Sequence, residues 1–114
     1  MSFKIKCSAL FASVLAVSSM VATPMAYATD NAVGTIATMD VTAGSNYALR
    51  VSLTGGATMC TGGPSWAYLN DTDSNYKVYA AALMLAKAQG TRVTVYSLLE
   101  NGYCHIVFIT VQSS

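Results

Sequence analysis

The chain has 114 residues, 54% of them hydrophobic and only 10% charged, with a formal net charge of +1. That length suits one small domain, and so weak a charge excludes the basic stripe of a nucleic-acid surface. A single histidine, His105, and the lack of any C-x-x-C spacing argue against a metal site, and no cofactor is expected.

Residues 1–28 read as an export leader. Lys4 and Lys6 give the positive start, Ala9 to Val21 the apolar stretch, and Ala26-Tyr27-Ala28 an A-x-A cleavage signal. The apolar stretch is interrupted by serines and is short for a spanning helix, so removal is expected over retention as an anchor. The mature domain, residues 29–114, then begins at Thr29. Loss of Lys4 and Lys6 leaves four cations against five carboxylates, a net charge of −1. Export implies a secreted or periplasmic protein in an oxidising compartment, and Cys60 and Cys104 are the two cysteines left to pair. A bridge between them closes a loop worth about 4 kcal/mol in the chain-entropy account. A domain this small benefits from such a staple or from a partner subunit.

In chain order, Val33 to Val41 is rich in β-branched residues and reads as a first strand. Ala43 to Asn46 is a turn. Tyr47, Leu49, Val51 and Leu53 then alternate with Ala48, Arg50 and Ser52, the pattern of a half-buried strand. Thr54 to Pro64 is a glycine-rich loop around Cys60, and Ser65 to Leu69 is a short aromatic third strand. Asn70 to Asn75 supplies helix caps, with Thr72 or Asp73 favoured, and the helix is expected from Ser74 to Ala88 with Gly90 as its stop. Val93 and Val95 mark a fourth strand. Asn101-Gly102 is a hairpin turn, and Tyr103 to Val111 a last strand, with Val107, Ile109 and Val111 on one side and Ile106 and Phe108 on the other. The result is a mainly β fold with one helix, an OB-fold-like five-stranded barrel of order β-β-β-α-β-β.

The helix is unusually apolar. Tyr76, Tyr79, Ala80, Leu83 and Ala86 can face a core, yet Val78, Ala82 and Leu85 form a second apolar line, with Ala81 and Met84 beside Lys77. Alanine alone tolerates water, but Val78, Met84 and Leu85 do not share that excuse. Val78, Ala81, Ala82, Met84 and Leu85 are therefore the expected contact with another subunit.

Catalysis finds no footing, and no catalytic residue is assigned. Cys104 and His105 are neighbours in a strand and point to opposite faces, and Glu100 stands in a turn without a second glutamate. Asp71-Thr72-Asp73-Ser74-Asn75 mimics the start of a calcium loop, but Tyr76 replaces the required glycine and Ala82 the distal glutamate. Helix capping accounts better for these residues. Asn70-Asp71-Thr72 is a formal glycosylation sequon. Aromatic residues are the remaining chemical feature. Trp66 and Tyr68 share one face of the third strand, with Tyr47 close across the sheet, a set suited to stacking on sugar rings or to plain packing. Tyr96 and Tyr103 read as cross-strand packing partners.

Cys60 before the Ser65-Trp66 step, a helix with Tyr79, Ala82 and Leu83, then Gly90, Val93, Val95 and Cys104, resemble the binding (B) subunits of bacterial AB5 toxins of the subtilase-cytotoxin B-like group. The likeness covers about half of residues 29–114. The chain is shorter than those subunits and has no second cysteine pair. The resemblance implies a secreted OB-fold subunit in a ring of five, with helices lining the centre. It also implies binding of cell-surface sialylated glycans and carriage of a separate catalytic A chain. Those subunits place a glycan-contacting serine near the start of the first strand, where Asn31 and Ala32 stand here, so that contact is not carried over; Asn31, at that place, is a glycan-binding candidate beside Trp66, Tyr68 and Tyr47. The expected function is thus a secreted, pentameric carbohydrate-binding subunit of a toxin-like complex that recognises cell-surface glycans, without membrane insertion or nucleic-acid partner. The alternative is a monomeric periplasmic OB-fold protein that binds another protein or a small ligand.

Overall fold

A computed structural model describes residues 29–113; the expected leader lies outside the described residues. Six strands and a helix follow in order: β1 (Asp30–Gly34), β2 (Ile36–Val41), β3 (Leu49–Leu53), β4 (Ala67–Leu69), α1 (Tyr76–Gln89), β5 (Val93–Glu100) and β6 (Tyr103–Val111). The fold is mainly β with one helix, as the alternation of apolar residues predicts, but the strand count is six and not five. The segment expected as one strand, Val33 to Val41, changes partners part-way. Its first half pairs antiparallel with β5, Val33 opposite Thr94, and its second half pairs antiparallel with β3, Ile36 opposite Leu53. One straight strand cannot serve both partners, so the chain breaks at Thr35, whose carbonyl takes the Thr54 N–H.

The six strands form one sheet of order β1-β5-β6-β4-β3-β2. Because β1 and β2 are separated by one residue yet stand at opposite ends of that order, the sheet must curl, and it does so as a half-barrel. All pairings are antiparallel except β4 with β6, which run parallel with Ala67 opposite Cys104 and Tyr68 opposite His105. The concave side buries Leu49, Val51 and Leu53 of β3, Ala67 and Leu69 of β4, Val93 and Val95 of β5, and Cys104 and Ile106 of β6. Helix α1 packs on β2 and β6 and closes this core with Leu83 and Ala86.

Two local corrections set the geometry that follows. The strand expected from Tyr47 begins at Leu49, because Tyr47 has a positive φ of 51° and belongs to the turn. The last strand keeps its expected bounds but not its simple alternation. A bulge at Val107 separates the pairs Ser97–Ile106 and Tyr96–Phe108, so the inward side passes from Ile106 to Ile109. The Val107 carbonyl, which lies at this irregularity, accepts a 2.8 Å bond from the Tyr79 hydroxyl.

The helix starts at Tyr76 rather than Ser74, and its N-cap is Asn75, at φ 62° and without a side-chain cap. Neither Thr72 nor Asp73 serves as the cap; Asp73 is engaged elsewhere. Gly90, at φ 67°, ends the helix as expected, and the Thr91 N–H reaches back to the Ala86 carbonyl. Cys60 and Cys104 are bonded, with their Cα atoms 5.8 Å apart, and so fasten the glycine-rich loop to β6. Met59, fully buried, plugs the same loop into the core, and its carbonyl accepts the buried Ser97 hydroxyl at 3.0 Å.

Candidate ligand-binding face

Strand alternation that sends Val51, Ala67, Leu69, Cys104 and Ile106 inward sends their neighbours to the outer face. Register then brings Arg50 of β3 opposite Tyr68 of β4, and Tyr68 opposite His105 of β6, in one row across three strands. Trp66 precedes this row on the β4 side, Tyr103 stands two residues before His105, and Tyr47 enters from the turn before β3. The rings form one cluster. Tyr47 lies 4.3 Å from Tyr68 and 5.3 Å from Tyr103 between centroids, and Trp66 stacks on Tyr103 at 5.1 Å with 26° between planes. Tyr68 and His105 stack nearly parallel, 4.8 Å apart at 4°.

Trp66, Tyr68 and Tyr47 are thus brought together, the first two by strand alternation and Tyr47 by the turn before β3. Tyr103, expected as a plain cross-strand partner, is a member of the same cluster, whereas Tyr96 does pack across the hairpin on Phe108. Only Tyr68 among the four is deeply buried; Tyr103 is exposed and Tyr47 and Trp66 are half-buried, so the cluster presents aromatic surface to water. Asn31 is not part of it. It lies on β1 and lines a separate concavity with Asp30, Thr58, Cys60 and Gly62.

Arg50 supplies the positive charge. Its guanidinium carbon sits 5.0 Å from the Trp66 ring centre and 5.9 Å from that of Tyr47, within cation–π range. Its terminal nitrogen donates to the Asn46 side-chain oxygen at 3.2 Å, while its buried Nε–H has no acceptor. Among the described residues no carboxylate is paired with Arg50.

Two carboxylates flank His105 on the other side of the row. Asp73 Oδ2 is 2.7 Å from Nε2 and Glu100 Oε2 is 2.7 Å from Nδ1. Asp73 also accepts the Asn70 N–H at 2.8 Å, which bends the loop before α1. Burial alone lowers the His105 pKa, but the hydrogen bonds and charges of Asp73 and Glu100 outweigh it and raise the pKa above the ordinary value. Tyr68 is pushed up to about 12, first by burial and then by the negative charge of Glu100 and by Tyr47 and Asp73. Sequence reasoning assigned Asp73 to capping and Glu100 to an isolated turn. The Asn-Gly hairpin was the signal that could have corrected this, because a two-residue turn puts Glu100 opposite Tyr103 and so near His105.

The second feature is apolar. Val78, Met84 and Leu85 are 66%, 53% and 57% exposed on α1, with Ala81 exposed and Ala82 half-buried beside them. Val78 and Ala82 line a groove with Tyr79, Phe108, Ile109 and Val111, so β6 extends the apolar surface of the helix. Among the described residues there is no cluster of His, Cys, Asp and Glu placed to hold a metal, and no helix long and apolar enough to cross a membrane. Compared with known proteins, the chain matches no family model, no curated protein and no solved structure.

Proposed function

We propose that this chain is an exported carbohydrate-binding subunit with an OB fold, one that assembles with copies of itself in the manner of the AB5 binding subunits it resembles. Support for the OB fold comes from strand order. If β1 and β2 are counted as one strand bent at Thr35, the order becomes first, fourth, fifth, third, second and back to the first, with a parallel third–fifth pair and the helix after the third strand.

The observation that carries the ligand proposal is where the aromatic cluster falls on that frame. OB barrels bind oligosaccharides and oligonucleotides on the face of their second and third strands, flanked by the first–second and fourth–fifth loops. Here β3 and β4 bring Arg50, Trp66 and Tyr68, the turn before β3 brings Tyr47, and the β5–β6 hairpin brings Tyr103. Aromatic faces stack on the C–H side of sugar rings, and tyrosine hydroxyls and Arg50 can hold sugar hydroxyls or a carboxylate. A domain with a net charge near −1 after leader removal does not favour a polyphosphate strand instead.

A glycan array probed with the purified protein tests this reading, with binding to sialylated or neutral oligosaccharides expected. Silence across both, with the protein folded, sinks it. The alternative, a monomeric periplasmic protein that binds another protein or a small ligand, is favoured by the apolar groove between α1 and β6. Light scattering separates the two, since a single-chain mass is incompatible with a ring. A catalytic A chain would be a further partner of the ring, and its coding sequence should neighbour this one.

A further inference from the structure

The least ordinary contact in the molecule is the imidazole held between two carboxylates. Its three members come from different elements: His105 from β6, Glu100 from the end of β5, and Asp73 from the loop between β4 and α1. We propose that His105 is a proton-operated clamp on the aromatic face. With both ring nitrogens protonated it ties that loop and the β5–β6 turn together beside Tyr68; on losing a proton it lets the turn go, and the Tyr103–Trp66 stack loosens with it. The clamp acts on the face itself, whatever that face binds.

The argument starts from donor count. Two carboxylates on one ring require two N–H groups, which only the imidazolium has. Neutral histidine keeps one, and its other nitrogen turns a lone pair toward a carboxylate 2.7 Å away. One contact must then open, and exposure decides which. The Asp73 side chain is 19% exposed and is also held by the Asn70 N–H, whereas that of Glu100 is 47% exposed and can turn into water. The remaining proton therefore stays on Nε2, and Glu100 leaves.

Glu100 is opposite Tyr103 across a tight turn whose two residues, Asn101 and Gly102, both have positive φ, 53° and 85°. This turn is exposed, and the Glu100–His105 bond anchors it to the face from the β5 side, beside the Tyr103 contacts with Trp66 and Tyr47. Movement of Glu100 passes through two residues to Tyr103, whose ring covers Trp66.

The other groups around His105 do not compete for this role. Tyr68 stacks on it from β4, and both Tyr68 and the nearby Tyr79 of α1 have their pKa values raised, so they stay neutral. Leu98, its register partner on β5, carries no charge. Arg50 of β3 lies one place further along the row and stays cationic; Tyr47 and Tyr103 complete the surroundings.

The chain has one histidine and one tryptophan, so each is its own reporter. In the purified chain, free of any histidine tag, the His105 ring proton resonance, the Gly102 amide resonance and Trp66 emission are followed against pH. One shared midpoint above 6.5 is expected for all three. Glu100→Gln should lower the His105 midpoint and carry the Trp66 and Gly102 transitions down with it. A flat Trp66 and Gly102 response across the His105 titration overturns the clamp. So does a His105 midpoint that Glu100→Gln leaves in place, or one that moves without the other two. No ligand enters the measurement, so its failure is separate from failure of the glycan reading.

Discussion

His105 couples the stability of this protein to pH, and the direction follows from which state binds the proton more tightly. Its pKa is raised in the folded chain above the ordinary 6.5, so the folded form holds the proton more firmly than the unfolded one. The stabilisation is complete below 6.5 and is lost as pH rises through the folded pKa. Thermal melts should therefore show the melting temperature falling on the alkaline side of the His105 transition. Asp73→Asn removes the better-buried of the two charged contacts and should cost roughly 1.5–3 kcal/mol below the transition, and less above it, where the neutral ring still donates to this side chain through Nε2. An Asp73→Asn protein whose loss is the same on both sides would rule out this coupling. Trp66 makes a different case. It is half-buried and lies outside the core cluster, so Trp66→Ala should leave the fold intact while lowering affinity for a bound oligosaccharide by about tenfold or more. Calorimetric titration beside a melting curve reads both.

At the scale of elements, the disulfide decides whether the glycine-rich loop has a place at all. It joins residues 44 apart, and Gly63 sits so close to it that an added Cβ would lie 2.5 Å from the Cys104 sulfur and 2.6 Å from that of Cys60. Replacing both cysteines by alanine should lower stability by about 4 kcal/mol, measured by urea denaturation. A loss well under that figure would mean that buried Met59 and its bonds hold the loop alone. Much of this level was legible. The two cysteines, the Asn-Gly turn, the Gly90 stop and the bounds of the last strand all carry their structural meaning within a few residues of sequence. What escaped depends on partners far along the chain. Nothing near Thr35 says that the preceding residues pair with β5 and the following ones with β3. The Val107 bulge is likewise a mismatch between two strands, not a property of either. Asp73 looked like a cap because capping is local; its true partner, His105, is 32 residues away and is reached only through the parallel β4–β6 pairing. The Trp66–Tyr68 pair was readable from alternation, but Tyr47 needed the turn that lifts it out of phase with Leu49, and Arg50, Tyr103 and Glu100 needed the register.

On the scale of the whole molecule, the interior is slender and the outer helix surface is too apolar for water alone. The core is filled by leucines, β-branched and small residues, Met59 and one side of α1, while Val78, Met84 and Leu85 stay more than half exposed and Val78 shares a groove with Phe108 and Val111 of β6. Burying such side chains is worth about 1.5–3 kcal/mol each, so a few of them from each protomer can drive association. Charging that surface is the direct test. Val78→Lys with Leu85→Lys touches no core contact, so the single chain should melt as before or slightly higher in concentration-independent fashion, while light scattering shows the assembly reduced to one chain. The consequence for binding is larger than any one contact. In the proposed ring, copies of the aromatic face would meet a glycan-coated surface together, and linking weak sites in this way gains roughly 10²–10⁴ in avidity with no new contact. The double variant should thus keep its affinity for a soluble monovalent oligosaccharide and lose most of its retention on an immobilised multivalent one. Equal retention of both proteins on the multivalent surface would show that α1 has no part in assembly and that the face works singly.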